Sequence, residues 1–191
     1  MSDNYRIQSH SICLQGSADS GLCLRPLQDE DFPYLKKWNE DKEIIKWVEV
    51  CEDRVLSEEE IWKIYEDASR GALCFLIVKN DCAIGECWLQ MVEIPELVTL
   101  FPGRKLVRID LLIGEKEYWC QGIGSLVISL LTAYVQQHTD YDLIIALMRS
   151  DNVRCIKAFE KNHFRFWKEG ALPQEGAGTK HFCLYIKDAK I

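Results

Sequence analysis

The stretch from residue 107 to residue 148 constrains the fold of this chain more than any other. It contains an apolar run over 107–113, a connector ending at Gly122-Ile123-Gly124, an apolar-periodic segment to about residue 138, and a second apolar run over 143–148. This alternation predicts a strand, a helix and another strand, and a crossover of this kind joins parallel strands. The sequence therefore predicts a sheet that contains a parallel pair.

The remaining segments predict antiparallel strands and further helices, and so an α/β class with a mixed sheet. Hairpins are expected over 11–25 and 73–91, and two more strands over 164–168 and 182–186. A capping box at Ser57 and Glu60 predicts the start of a helix, and helices are also expected over 29–39, 42–48 and 152–161. Residues 92–105 predict a long connector. We expect one domain over 21–191, preceded by an extension over 1–20 that could add a strand.

Composition excludes several classes of protein. The chain has 191 residues, of which 48% are hydrophobic, so it can build a core, and it has no apolar run long enough to span a membrane. A net charge of −7 without a basic cluster argues against nucleic-acid binding, and it indicates either solubility or attraction of a cationic substrate. Nine cysteines without a C-x-x-C pair indicate buried reduced thiols and no metal site. We expect a cytoplasmic monomer or homodimer.

Two features of the 108–125 segment carry chemistry. Gly122 and Gly124 precede a helix whose first N–H groups lack partners, which suits a phosphate, although both could also be simple turn residues. Asp110 lies in the middle of an apolar strand, where a carboxylate is unfavourable unless it is paired or used. It is expected either to act as a base or to pair with Arg108.

Two motifs together resemble the GNAT superfamily of acetyl-CoA-dependent N-acyltransferases, over about residues 21–187. Gly122-x-Gly124 is similar to the superfamily's pyrophosphate loop, and residues 152–164 are similar to its Asn-x-x-x-Ile-x-x-Tyr-x-Lys-x-Gly-Phe signature. A narrower resemblance links residues 24–27, 31–33, 37–38, 109–114 and 118–124 to aminoglycoside 6′-N-acetyltransferases.

The resemblance implies a central mixed sheet with a splayed parallel pair flanked by helices, and direct transfer of an acetyl group from acetyl-CoA to a primary amine. The amine would belong to an aminoglycoside or a similar polycationic small molecule. Catalytic roles are implied for Asp110 and Glu86, and a backbone N–H near Leu111 or Leu112 would stabilise the developing oxyanion. The expected cofactor-binding residues are Leu111, Leu112, Ile113, Gln121, Gly122, Ile123, Gly124, Ser125, Asn152 and Phe159. The expected substrate-binding residues are Trp47, Glu49, Trp88 and Asp110.

Several of these assignments have a structural alternative. Glu86 could be a polar contact at a sheet edge, since strand alternation alone exposes such residues. Asn152 could be only a helix N-cap, or both a cap and a cofactor contact. Trp47 and Glu49 could be a core indole and a solvated carboxylate.

The chain also departs from the superfamily pattern. Trp119 replaces an Arg or Gln before the glycine loop, Cys120 stands where Gly or Ser is common, and Phe159 replaces the Tyr that serves many members as a general acid. His163 replaces a Gly, so we expect Asn162 to supply the left-handed residue that ends the helix.

Residues 147–148 lack the Asp-Pro pair of many aminoglycoside enzymes. This departure favours an alternative, a protein N-acetyltransferase of the ribosomal-protein type. Because Phe159 replaces the general-acid Tyr, a second alternative is a CoA-binding sensor that has no catalytic activity.

Overall fold

The computed structural model describes residues 6–48, 56–172 and 180–190. In this part of the chain, strands β1–β8 are Leu14–Gln15, Leu22–Pro26, Ala72–Lys79, Cys82–Met91, Leu106–Ile113, Leu143–Arg149, Arg165–Leu172 and Lys180–Asp188. Helices α1–α6 are Phe32–Glu40, Lys42–Ile45, Glu58–Gly71, Pro95–Leu100, Ile123–His138 and Val153–Lys161. The strands form one sheet in the order β1-β2-β3-β4-β5-β6-β8-β7.

The parallel pair predicted from the sequence is β5 and β6. Their register extends only from Leu106 opposite Leu143 to Arg108 opposite Ile145. Beyond Arg108, β5 remains paired with β4 as far as Ile113, while β6 continues beside β8 to Arg149. The two strands therefore separate after three paired positions, and the gap between them opens into a cleft.

Helices cover both faces of the sheet. On one face α5 and α6 pack on apolar side chains such as Ile109 and Cys87. On the other face α1 and α3 contribute Trp38, Ile61 and Tyr65. Because side chains alternate along a strand, Glu86, Trp88 and Asp110 lie on this second face, beneath α3.

The predicted capping box begins α3. The Ser57 hydroxyl accepts from the Glu60 N–H at 3.3 Å, and the Glu60 carboxylate accepts from the Ser57 N–H at 2.8 Å. These two bonds satisfy donors that the first turn of a helix leaves open, so the entry to α3 is fixed locally. The helix continues to Gly71, which brings Tyr65 over β4.

Two expectations about connecting segments are wrong. Residues 92–105 are not a plain connector, because α4 forms with Pro95 in its first turn and buries Leu97. The left-handed residue that ends α6 is His163, with φ 63°, and not Asn162, with φ −94°. The His163 N–H bonds to the Glu160 carbonyl and the Phe164 N–H to the Phe159 carbonyl, a Schellman arrangement that requires the left-handed turn at His163.

The cysteines are only partly as expected. Cys74, Cys87 and Cys183 are buried, whereas Cys13 and Cys82, like Cys120, are exposed. All eight cysteines in the described ranges are free thiols. Within those ranges, none of the helices combines the length and the hydropathy needed to cross a membrane.

Candidate functional site

A cleft of about 680 Å³ occupies the gap where β5 and β6 separate. Its walls come from β4, β5, the end of β6, the region after α2, the start of α5 and one side of α6. Residues predicted as functional from distant parts of the sequence thus meet in one place, because the crossover through α5 returns the chain beside β5 before the strands diverge.

The glycine loop forms one end of the cleft. Gly122 has φ 79° and caps α5, so the N–H groups of the first turn after it have no partner inside the helix. A Cβ built on Gly122 would meet nothing within 4 Å, and one on Gly124 would meet only a Leu111 methyl at 3.7 Å. The loop is therefore open to a ligand, and these donors together with the positive end of the helix dipole suit a phosphate.

Most of the cofactor residues predicted around this loop line the cleft, namely Leu111, Leu112, Ile113, Gly122, Ile123, Gly124, Ser125, Asn152 and Phe159. Gln121 does not line it, because its side-chain amide donates to the Glu117 carbonyl outside the cleft. The Asn152 side chain accepts from the Cys155 N–H at 3.2 Å, which makes it the N-cap of α6. Phe159 is 2% exposed and packs edge-on against Phe164.

Asp110 lies on the β5 wall and carries an ion pair. Its Oδ2 accepts from the Arg108 Nε at 2.8 Å, while 28% of the Asp110 side chain remains exposed. Burial raises the pKa of Asp110 above its ordinary value, and the attraction of Arg108 offsets only part of that rise. The predicted ion pair with Arg108 is therefore present, and the carboxylate also reaches the cleft, while the role of Asp110 as a base stays a prediction.

Glu86 is buried rather than at a sheet edge, because β4 is paired on both sides, with β3 and β5. It is 8% exposed and accepts from the Tyr65 hydroxyl and the Trp88 indole N–H, each at 2.8 Å. The Tyr65 oxygen in turn accepts from the Asn39 amide at 2.9 Å. Burial raises the pKa of Glu86 to about 7, although both hydrogen bonds favour the charged form.

The two carboxylates are neighbours on the same face. Trp88 is directly opposite Asp110, so Glu86, two residues earlier on β4, is its diagonal neighbour. The negative charge of Asp110 adds to the rise in the pKa of Glu86. A pair of acids with raised pKa values in a cleft is typical of a functional site.

Aromatic rings surround these acids. Trp88 lies edge-on to Tyr65 with ring centroids 5.6 Å apart. Trp47 also lines the cleft, and its indole N–H is buried without a hydrogen-bond partner in the part of the chain described. Glu49, which was also predicted to bind the substrate, lies outside the described residues.

One arrangement was not predicted from the sequence. The guanidinium of Arg154, in the first turn of α6, lies 4.2 Å from the ring centroid of Trp119 and 5.5 Å from that of Trp47. Such distances allow cation–π attraction to both rings. Trp119, an unusual residue before a glycine loop, therefore packs against the Arg154 guanidinium of α6.

Comparison with known proteins agrees with this architecture. A family model described as an acetyltransferase (GNAT) domain matches residues 21–165. The aminoglycoside acetyltransferase AAC(6')-Ib in complex with coenzyme A is 15% identical, with a TM-score of 0.70 over 87% of this chain and 94% of that one.

Two further solved structures share the fold. A spermidine N-acetyltransferase from Vibrio cholerae, in complex with CoA and spermine, is 15% identical with a TM-score of 0.71, covering 88% of this chain and 96% of that one. An acetyltransferase from Salmonella typhimurium that modifies the N-terminal serine of ribosomal protein L7/L12 is 18% identical with a TM-score of 0.71, covering 93% and 99%. The predicted fold class, a mixed sheet with one parallel pair between layers of helices, is confirmed.

Proposed function

The chain belongs to the GNAT acetyltransferase family, and from that premise we propose that its cleft acetylates a primary amine of a small cationic molecule such as an aminoglycoside or a polyamine. The observation that carries the proposal is the carboxylate pair, Asp110 and Glu86, set among aromatic rings beside the gap between β5 and β6. Carboxylates and indole faces both attract an ammonium ion.

Acetyl-CoA, the acyl donor of this family, suits the residues at the other end of the cleft. Its diphosphate matches the open N–H groups that follow Gly122, and its extended arm matches the part of β5 that β6 leaves unpaired. With acetyl-CoA bound there, its thioester carbonyl would lie beside the acids on β4 and β5, where the amine would attack it.

Asp110 has the central role in the proposed transfer. Its carboxylate holds the substrate ammonium and accepts its proton, directly or through water, because only the neutral amine is nucleophilic. As the C–N bond forms at the carbonyl carbon, the C–S bond breaks and sulfur leaves as a thiolate, while the nitrogen releases its second proton to water to become the amide. Phe159 has no proton to give, so the thiolate takes one from water. A backbone N–H near Leu111 or Leu112 stabilises the oxygen on which charge develops.

A second acceptor class, the N-terminal amine of a protein, is favoured by a specific observation. Among the described residues that line the cleft, Asp110 and Glu86 are the only carboxylates, and the end of β6 contributes the apolar Leu147 and Met148 instead. A substrate with several ammonium groups gains most from several acids, whereas a peptide terminus presents one.

The experiment offers acetyl-CoA and one amine at a time to the purified chain, using aminoglycosides, spermidine and a peptide with an N-terminal serine. CoA release and the acetylated product are both measured. The proposal expects turnover with an aminoglycoside or spermidine and a drop of about 100-fold or more in kcat for Asp110→Asn, with Asp19→Asn, an exposed aspartate away from the cleft, as the matched control. Turnover of the peptide alone would replace the small-molecule assignment with the protein one.

A further inference from the structure

The face of α6 that lines the cleft carries a stripe of three basic residues. Arg154, Lys157 and Lys161 are spaced i, i+3 and i+7, so they lie on one face of the helix, and all three line the cleft. Ala158 lies on the same face and also lines the cleft.

These three cations differ from the other basic residues of the cleft. Arg108 binds Asp110, and Arg149 makes two hydrogen bonds to Asp151, at 2.8 and 2.9 Å. In contrast, no ion pair joins Arg154, Lys157 or Lys161 to any carboxylate within the described ranges. In a chain of net charge −7, a row of cations at a cleft, with no carboxylate partner among the described residues, indicates an anionic ligand.

The C-terminal end of the stripe lies beside the glycine loop. The Asn162 amide donates to the Ser125 carbonyl at 3.0 Å and to the Ser125 hydroxyl at 2.9 Å, which ties the end of α6 to the first turn of α5. Lys161 therefore neighbours the open N–H groups after Gly122, and Lys157 lies about one turn further along the same face.

CoA carries a third phosphate group besides its diphosphate. The N–H groups at the start of α5 suit the diphosphate, but the 3′-phosphate on the ribose is a separate dianion that needs its own donors. The lysines are the cations beside the loop that lack a carboxylate partner in the described residues. We propose, on the basis of the acetyl-CoA-dependent function above, that Lys157 and Lys161 bind the 3′-phosphate of CoA and make the cleft selective for CoA over 3′-dephospho-CoA.

The test measures binding without any acceptor amine. Isothermal titration of the full chain with CoA and with 3′-dephospho-CoA should show a preference of about tenfold for CoA, or about 1.4 kcal/mol, as expected for exposed charge pairs. In Lys157→Gln/Lys161→Gln, CoA should bind about tenfold more weakly while 3′-dephospho-CoA binds as before. Lys63→Gln, an exposed lysine on α3 outside the cleft, is the matched control and should keep the preference.

A thermal melt of the double variant that matches the wild type excludes misfolding as the cause. Equal binding of both ligands by the wild type would overturn the inference, and so would a double variant that keeps the preference. If CoA and 3′-dephospho-CoA both fail to bind, the proposed function fails as well. If CoA binds with the predicted preference but no amine is acetylated, only the acceptor assignment fails.

Discussion

Glu86 provides a test of the buried network that is independent of any substrate. Its carboxylate is 8% exposed and accepts hydrogen bonds from Tyr65 and Trp88. Glu86→Gln keeps the size of the side chain and one acceptor oxygen but cannot ionise. The variant therefore removes the pH-dependent part of the stability that Glu86 contributes, and it leaves one of the two donors facing an amide N–H.

The sign and size follow from the pKa. Burial raises the pKa of Glu86 from 4.5 to about 7, so between these pH values the folded protein holds a proton that the unfolded chain has released. Stability from this group is therefore fully present below pH 4.5 and is lost as the pH rises towards 7. At about 1.4 kcal/mol per pH unit, the interval corresponds to about 3 kcal/mol. The misplaced amide adds a pH-independent loss of about 1 kcal/mol in the variant.

Urea unfolding of both proteins across this pH range is the assay. The free energy of unfolding of the wild type, minus that of Glu86→Gln, should fall by about 3 kcal/mol as the pH rises through the interval. Glu59→Gln, an exposed glutamate on α3, should run parallel to the wild type. Parallel curves for Glu86→Gln as well would mean that the folded protein does not raise the pKa of Glu86, and the description of this acid would be wrong.

Three further changes test the surroundings of the cleft. Gly114→Ala should destabilise the fold by about 2 kcal/mol, because a Cβ there would lie 2.3 Å from the Trp38 ring. A thermal melt should show a Tm lower by several degrees, and an unchanged Tm would contradict this packing. Gly122→Ala should cost about 1 kcal/mol and weaken CoA binding in a calorimetric titration, because φ is 79° at that position. Arg108→Gln should move the acidic limb of the kcat/KM profile to higher pH, since Arg108 lowers the pKa of Asp110; an unmoved limb would exclude Asp110 as the base.

The sequence predicted those parts of the fold whose causes are local. The capping box at Ser57 depends on residues three apart, and the parallel pair follows from a strand, helix and strand in succession. The left-handed turn after α6 was misplaced by one residue, because the type of residue favoured Asn162 whereas the hydrogen bonds require His163. The sequence did contain a signal for α4, because Pro95 suits the first turn of a helix and Leu97 can then be buried.

The site could be predicted only in part, because its decisive contacts join distant residues. Strand alternation placed Glu86 and Trp88 on one face, but it could not show that Tyr65, 21 residues earlier, caps the Glu86 carboxylate and buries it. In the same way, no local pattern indicates that the Arg154 guanidinium, on α6, lies over the Trp119 ring before α5. Burial and partner, which set the pKa of an acid, are properties of the packed chain.

The cleft separates charge by element, and this separation has a chemical consequence. Its acidic groups, Glu86 and Asp110, lie on β4 and β5, whereas the basic residues that have no carboxylate partner among the described residues lie on α6. An anionic cosubstrate that approached the acids would be repelled, and a cationic amine would be repelled by α6. In the proposed reaction, each ligand would therefore be directed to its own end of the cleft, with the unpaired part of β5 between them. Because the approach of both ligands would depend on fixed charges, raising the ionic strength should increase both KM values while kcat, which depends on contacts inside the cleft, changes much less.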